Sequence, residues 1–254
     1  MEILSVKVLR GPNQWASFPC LEAWVDLGRL EDFPSNTLPG FNDRIMSWLP
    51  TMIEHRCSIG ERGGFFERLR TGTWMGHVLE HVALELQTLG GTPVGYGRAR
   101  EAKARGVYKV VIEYKEEKFA VECLHTAHRL LRAAIDDTPF DVTAEVKRLR
   151  HVLLDVQLGP STRSIVEAAI ARGIPAQRLT EGSLVRLGHG ARQRRICAAE
   201  TDRTGAVAET IAQDKELTRT LLAESGIPVP EGRPVTDAAD AWAVAEEIGG
   251  PVVV

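Results

Sequence analysis

Apolar and polar positions alternate from the first residues, and "EILSVKVL" predicts a strand that stops at Gly11-Pro12-Asn13. "LEAWVDLGRLEDFP" predicts a second strand and a turn, and "PSNTLPGF" reads as loop. From "NDRIMSWLPTMIEHRC" the spacing of Ile45, Trp48, Leu49 and Ile53 predicts a helix capped by Asn42 or Asp43, with Pro50 distorting or ending it. A glycine-rich, basic stretch, "SIGERGGFFERLRTGTWMG", leads into the helix "GHVLEHVALELQTLGG". "GVYKVVIEY" then reads as a strand and "EEKFAVECLHTAHRLLRAAID" as a helix. The mixture predicts a small α+β domain over residues 1–158.

The pattern changes at "DVQLGPSTRSIV". A helix follows, with Ser161 or Thr162 as its cap and Gly173 as its stop. Two short strands are expected around Gly188-His189-Gly190, then two helical stretches with a Pro-bracketed exit, and a last helix ending at Gly249-Gly250. Val252-Val253-Val254 reads as the start of a core strand, which leads us to expect a fragment of a longer protein.

Composition narrows the class. The chain has 254 residues, 44% hydrophobic and 26% charged, as an ordinary globular protein does. With 31 basic and 34 acidic residues the net charge is −3, which excludes nucleic-acid binding driven by bulk charge. Cys20, Cys57, Cys123 and Cys197 form no C-x-x-C pair, so reduced thiols are expected rather than a disulfide framework. No apolar window is long enough to span a membrane and no signal peptide is visible, so a cytoplasmic location is expected.

The chemistry concentrates in the helix from residue 76. His77, Glu80 and His81 have the H-x-x-E-H spacing of the inverzincins. At about 100° per residue, Val78, Leu79, Val82, Leu86 and Leu89 share one arc, and His77, Glu80, His81 and Glu85 fall opposite, with Leu84 among them. Histidines four apart can converge on one Zn2+, with Glu80 as general base. The third ligand is left open: Glu85 is on the correct face but one turn further along, and Glu67, Glu122 and His128 are the alternatives. Arg62, Arg68, Arg70, Arg98 and Arg100 flank this helix among glycines and are candidates for binding a carboxylate-rich polymer. His55, His125, His151 and His189 are expected to be structural, and Trp15, Trp48 and Trp74 to pack.

"LRGPNQW", "PSNTLPGF", "GGFFERLRTGTWMGHVLEHVALELQ", "GYGRARE", "GVYKVVIEY", "LGPSTRSIVEAA" and "DKELTRTLLAESGIPVPEG" occur in this order, and together they resemble cyanophycin synthetases over essentially the whole chain. The resemblance implies an N-terminal domain over residues 1–158 and, over 159–254, the α/β start of an incomplete ATP-grasp domain. It implies a ligase that uses ATP and Mg2+ to add aspartate to a backbone and arginine to each aspartate side chain. In such a protein the N-terminal domain holds the polymer, and in some members it carries a metallopeptidase-like centre that trims polymer into primers. It also implies a homo-oligomer, and it makes Lys215 a contact to the ATP phosphates.

Overall fold

The computed structural model describes residues 1–57 and 59–253. The chain divides into two compact units, Met1–Gln157 and Leu158–Val254.

In the first unit, β1 (Glu2–Leu9), β2 (Cys20–Asp26), β3 (Gly97–Glu101) and β4 (Val107–Glu113) form an antiparallel sheet in the order β1-β2-β4-β3. Period-two alternation turns Leu21, Ala23 and Val25 of β2 and Val110 and Ile112 of β4 into the core, all essentially without exposure. Five helices complete the unit: α1 (Phe41–Trp48), α2 (Gly64–Thr71), α3 (Met75–Gly90), α4 (Glu117–Asp136) and α5 (Val142–Val156). Helix α3 packs on β3 and β4, and α4 and α5 pack on α3. Burying α3 on several sides at once makes it the axis of the core, and its Val78, Leu79, Val82 and Leu86 are fully buried.

Several helix starts differ from the expected ones. Helix α1 begins after Gly40 at φ 66°, not on a side-chain cap. Asn42 instead donates from Nδ2 to the carbonyl of Leu69, 2.9 Å away, tying α1 to α2. Pro50 ends the helical run as expected and opens a 3-10 turn, Pro50–Glu54. Within the glycine-rich stretch, α2 begins after Gly63 at φ 89°, because a left-handed residue there lets the chain turn sharply into a helix.

In the second unit, β5 (Ala176–Arg178), β6 (Leu184–Leu187), β7 (Arg194–Cys197) and β8 (Glu200–Thr201) form an antiparallel sheet in that order. Helices α6 (Pro160–Ala171), α7 (Ala206–Gln213), α8 (Lys215–Glu224) and α9 (Ala238–Ile248) accompany it. The cap of α6 is Gly159, with Pro160 in the first helical position, where its missing N–H has no intrahelical partner to lose. Thr162 uses its hydroxyl on the carbonyl of Ala198 instead. The core here is small, built on Leu158, Val185 and Ile196. The expected terminal strand is not formed at residues 251–253, and Val254 lies outside the described residues. The architecture is thus mixed α/β with two small antiparallel sheets. No helix among the described residues is long and apolar enough to cross a membrane.

Candidate functional site

The polar arc of α3 does not face water. Glu80, His81 and Glu85 are 6%, 8% and 4% exposed, because the Pro50–Glu54 turn and residues 55–57 lie over one flank and β3 over the other. Two glycines allow these close approaches. A side chain at Gly64 would collide with the carbonyl of Cys57, and one at Gly97 would collide with the Glu80 carboxylate. Between the flanks lies a cleft of about 630 Å³. His77, Glu80 and His81 form one part of its wall, Cys57 another, and Gly97 and Arg98 face them from β3.

A chain of contacts orders the imidazoles. Thr51 donates its hydroxyl to one oxygen of Glu85, and His55 Nε2 lies 2.8 Å from the other. Burial pushes the Glu85 carboxyl upward, but hydrogen bonds from His55 and Thr51 outweigh it and hold the group below the usual carboxylate range. An ionised Glu85 accepts the Nε2 proton of His55. His55 Nδ1 is then a lone pair, which accepts the Nδ1–H of His81 across 2.8 Å. That leaves His81 Nε2 as a bare lone pair. Phe65 of α2 stacks on the His81 ring with 4.2 Å between centroids and 27° between planes.

His81 Nε2 points at His77 Nε2, 3.2 Å away, and Cys57 Sγ lies 3.2 Å from the same His77 nitrogen. His77 Nδ1 meets the Thr73 hydroxyl at 2.9 Å, and when it donates there its Nε2 is also a lone pair. Burial, with the positive charge of Arg68, pushes His77 down to about 4. Burial and the neighbouring His77 and His55 hold His81 well below the ordinary imidazole value. Both rings are therefore neutral at neutral pH, the state a metal requires. The ligand atoms of Cys57, His77 and His81 lie within 4.8 Å of one another. A tetrahedral zinc site with standard bond lengths places two nitrogens about 3.3 Å apart and a nitrogen and a sulfur about 3.5 Å apart. The donor set fits. Glu80 stands beside it, with Oε1 3.9 Å from His81 Nε2, and burial raises its carboxyl to about 8 against the opposing charge of Arg98.

Residues 22–136 match the family described as "Cyanophycin synthase-like N-terminal domain". Over its full length the chain is 40% identical to a cyanophycin synthetase of Crocosphaera subtropica and 41% identical to those of Trichormus variabilis and Synechocystis. The chain is a homologue of the cyanophycin synthetases. It covers about 30% of the length of these relatives.

The remaining residues singled out in this cyanophycin synthetase homologue fall in different places. Glu85 does not join the three donors, since both its oxygens are engaged by Thr51 and His55. The residue whose ligand atom lies with those of His77 and His81 is Cys57, 20 residues before His77 and in a loop that no periodicity marks. Glu67 pairs with Arg70 at 3.7 Å, Glu122 with Arg148 at 3.1 Å, and His128 Nε2 meets the carbonyl of Met1 at 3.0 Å, so none of them reaches the cleft. His55, expected to be structural, is not among the three donors and links Glu85 to His81. Of the arginines, Arg98 and Arg100 line the cleft, and so does Arg56, which the sequence did not single out. Arg68 acts on His77 through its charge. Arg62 pairs with Glu54 at 2.8 Å and Arg70 with Glu67, both on the exposed surface. Lys215 opens α8, exposed beside Thr210 and Gln213, with Asp214 capping the helix by accepting from Leu217 N at 2.9 Å.

Proposed function

We propose that this chain is the N-terminal part of an ATP-dependent ligase that builds cyanophycin from aspartate and arginine, and that the cleft of its first unit is a metal-dependent hydrolytic centre that trims the polymer into primers. Homology along the whole chain supports the first statement. The second is carried by one observation, the convergence of Cys57, His77 and His81 beside the buried Glu80.

Cys57, His77 and His81 would hold Zn2+, which when bound polarises a carbonyl and makes water a nucleophile near neutral pH. Glu80 is the general acid–base. Burial raises its carboxyl to about 8 despite the charge of Arg98, and the charge of a bound Zn2+ would lower it toward the ionised form. As carboxylate it takes a proton from water, and it then delivers that proton to the departing backbone amine. Glu85 and His55 fix the ring and tautomer of His81, so that Nε2 faces the donors. Arg98 and Arg100 offer guanidinium groups to the free carboxylates of the polymer's arginine branches. Residues 159–254 begin an ATP-grasp domain in which Lys215 meets the phosphates of Mg-ATP. The full-length protein works in the cytoplasm as a homo-oligomer.

The test is the zinc content of the purified chain together with release of short Asp-Arg fragments from cyanophycin. About one zinc per chain and visible cleavage are expected. Glu80→Gln should keep the zinc while cleavage falls by about 100-fold or more. A chain that neither takes zinc nor cuts polymer in its presence would refute the centre, and polymer binding under those conditions would establish a non-catalytic holding module instead.

A further inference from the structure

The wall of the cleft opposite His77 and His81 is a sheet edge. In the order β1-β2-β4-β3, strand β3 has β4 on one side and, among the described residues, no strand on the other, and its Gly97, Arg98, Ala99 and Arg100 line the cleft. Which main-chain groups face which way follows from the ladder. Glu113 N–H donates to the Tyr96 carbonyl at 2.8 Å, and Ala102 N–H donates to the Val107 carbonyl at 2.7 Å. Antiparallel alternation therefore directs the amide groups of Tyr96, Arg98, Arg100 and Ala102 toward β4, and those of Gly97, Ala99 and Glu101 outward. The Arg98 guanidinium folds back on the outward carbonyl of Gly97 at 3.1 Å, in keeping with that direction.

Exposed edges are usually blunted by proline, lysine or a bulge. β3 reads Gly-Arg-Ala-Arg-Glu and pairs with β4 without a register shift, so neither proline nor a bulge interrupts its edge, and its charges are those of Arg98, Arg100 and Glu101. Gly97 and Ala99, whose amides point outward, are among the residues lining the cleft, and Gly97 is packed against Glu80. A chain added at this edge would sit about 4.8 Å out from β3.

We infer that β3 takes its substrate by strand addition, the ligand being an extended polyamide whose backbone pairs with the outward groups of Gly97 and Ala99 while its carboxylate-bearing side chains meet Arg98 and Arg100. This rests on the reading of the cleft as a polymer site and specifies how the polymer is held. Arg98 and Arg100 are two positions apart on one strand, so they share a sheet face. An extended polymer presents every second side chain to one face with the same repeat, about 6.8 Å, which brings its carboxylates into step with the two guanidinium groups. Each arginine branch of cyanophycin, joined through its amine, keeps a free carboxylate, and the aspartyl backbone keeps its own N–H and C=O groups. The polymer thus carries both features the edge requires. The Arg98 contact to Gly97 O is the one an incoming N–H replaces, which frees the guanidinium for a carboxylate.

The test is binding to a defined oligomer of Asp-Arg units by calorimetry, with EDTA present so that metal and cleavage play no part. Ala99→Pro removes an outward N–H and leaves the β3–β4 ladder bonds in place. It should weaken binding by about tenfold, the effect of one hydrogen bond, while zinc loading without EDTA stays at the wild-type level. An oligomer N-methylated on its backbone amides should bind the wild-type chain about tenfold more weakly than the unmodified one, which decides the matter if Ala99→Pro does not fold. Equal affinity for both oligomers, with binding lost only in Arg98→Ala or Arg100→Ala, would overturn strand addition in favour of side-chain recognition alone. Absence of zinc and of cleavage in the wild type, with the N-methyl effect intact, would overturn the hydrolytic reading and leave strand addition standing.

Discussion

The two places in the chain where chemistry was expected are built in opposite ways. Around α3, ionisable groups are withdrawn from water: Glu80 and His81 are 6% and 8% exposed, and their proton affinities are displaced by burial. At the start of α8, Lys215 is exposed on a helix held by an ordinary Asp214 cap, beside two polar neighbours. The first arrangement costs desolvation energy that an apolar core would not incur, and folded proteins keep such clusters where the groups are used. The second costs nothing, and it gives no sign of chemistry until a ligand and the rest of a binding site surround it. Burial thus separates a preorganised centre from a side chain that is merely available.

His81→Ala should produce the largest break in this contrast. It removes a donor and the ring stacked on Phe65, and zinc content measured by elemental analysis should fall from about one to below about 0.1 per chain, with trimming abolished. Retained metal and trimming would place the centre elsewhere. Glu85→Gln comes next. It leaves all three donors but weakens the acceptor that fixes His55 and, through it, His81, so zinc affinity in a competition titration should drop by about 10- to 100-fold. An unchanged affinity would mean that the Glu85–His55 pair does nothing for the site. Gly97→Ala should cost about 1–3 kcal/mol in chemical denaturation, because the methyl group meets the Glu80 carboxylate. Trimming should fall in the same variant, since Glu80 must move. The smallest effect belongs to Lys215→Ala, for which zinc content and trimming should match the wild type within about twofold, surface changes of this kind being nearly neutral. A clear loss of either would couple the two units and dissolve the contrast.

How far the site was legible depends on the distance in sequence between its parts. His77, Glu80 and His81 lie within one helical turn and a half, and 3.6-residue geometry alone puts them on one side. Cys57 and His55 reach them across 20 and 26 residues, through a loop whose placement depends on Gly64 lacking a side chain and on Phe65 N–H holding the carbonyl of His55 at 3.1 Å. The one available signal was the short His55-x-Cys57 spacing upstream of the glycines, which is weak by itself. The helical wheel located the polar arc of α3 but could not say that it is roofed, since a wheel describes one helix and burial belongs to the assembly. Strand β3 was missed for a related reason: Gly-Arg-Ala-Arg-Glu has no apolar alternation, and it becomes a strand only because β4 lies beside it. Helix α2 was hidden because Gly63 reads as a breaker when it is a left-handed start.

By itself the sequence determined what is local. Period two gave β1, β2 and β4, period 3.6 gave α3 and α4, and the ordered run of motifs gave the resemblance that homology along the whole chain bears out. Tertiary structure decided what is not local: the burial of α3 on several sides, the meeting of Cys57 with His77 and His81, the Glu85–His55–His81 chain, and the place of β3 at the edge of its sheet. The physical reason is that hydrogen-bond periodicity acts over a few residues, whereas desolvation and close packing act between segments that only the fold brings together.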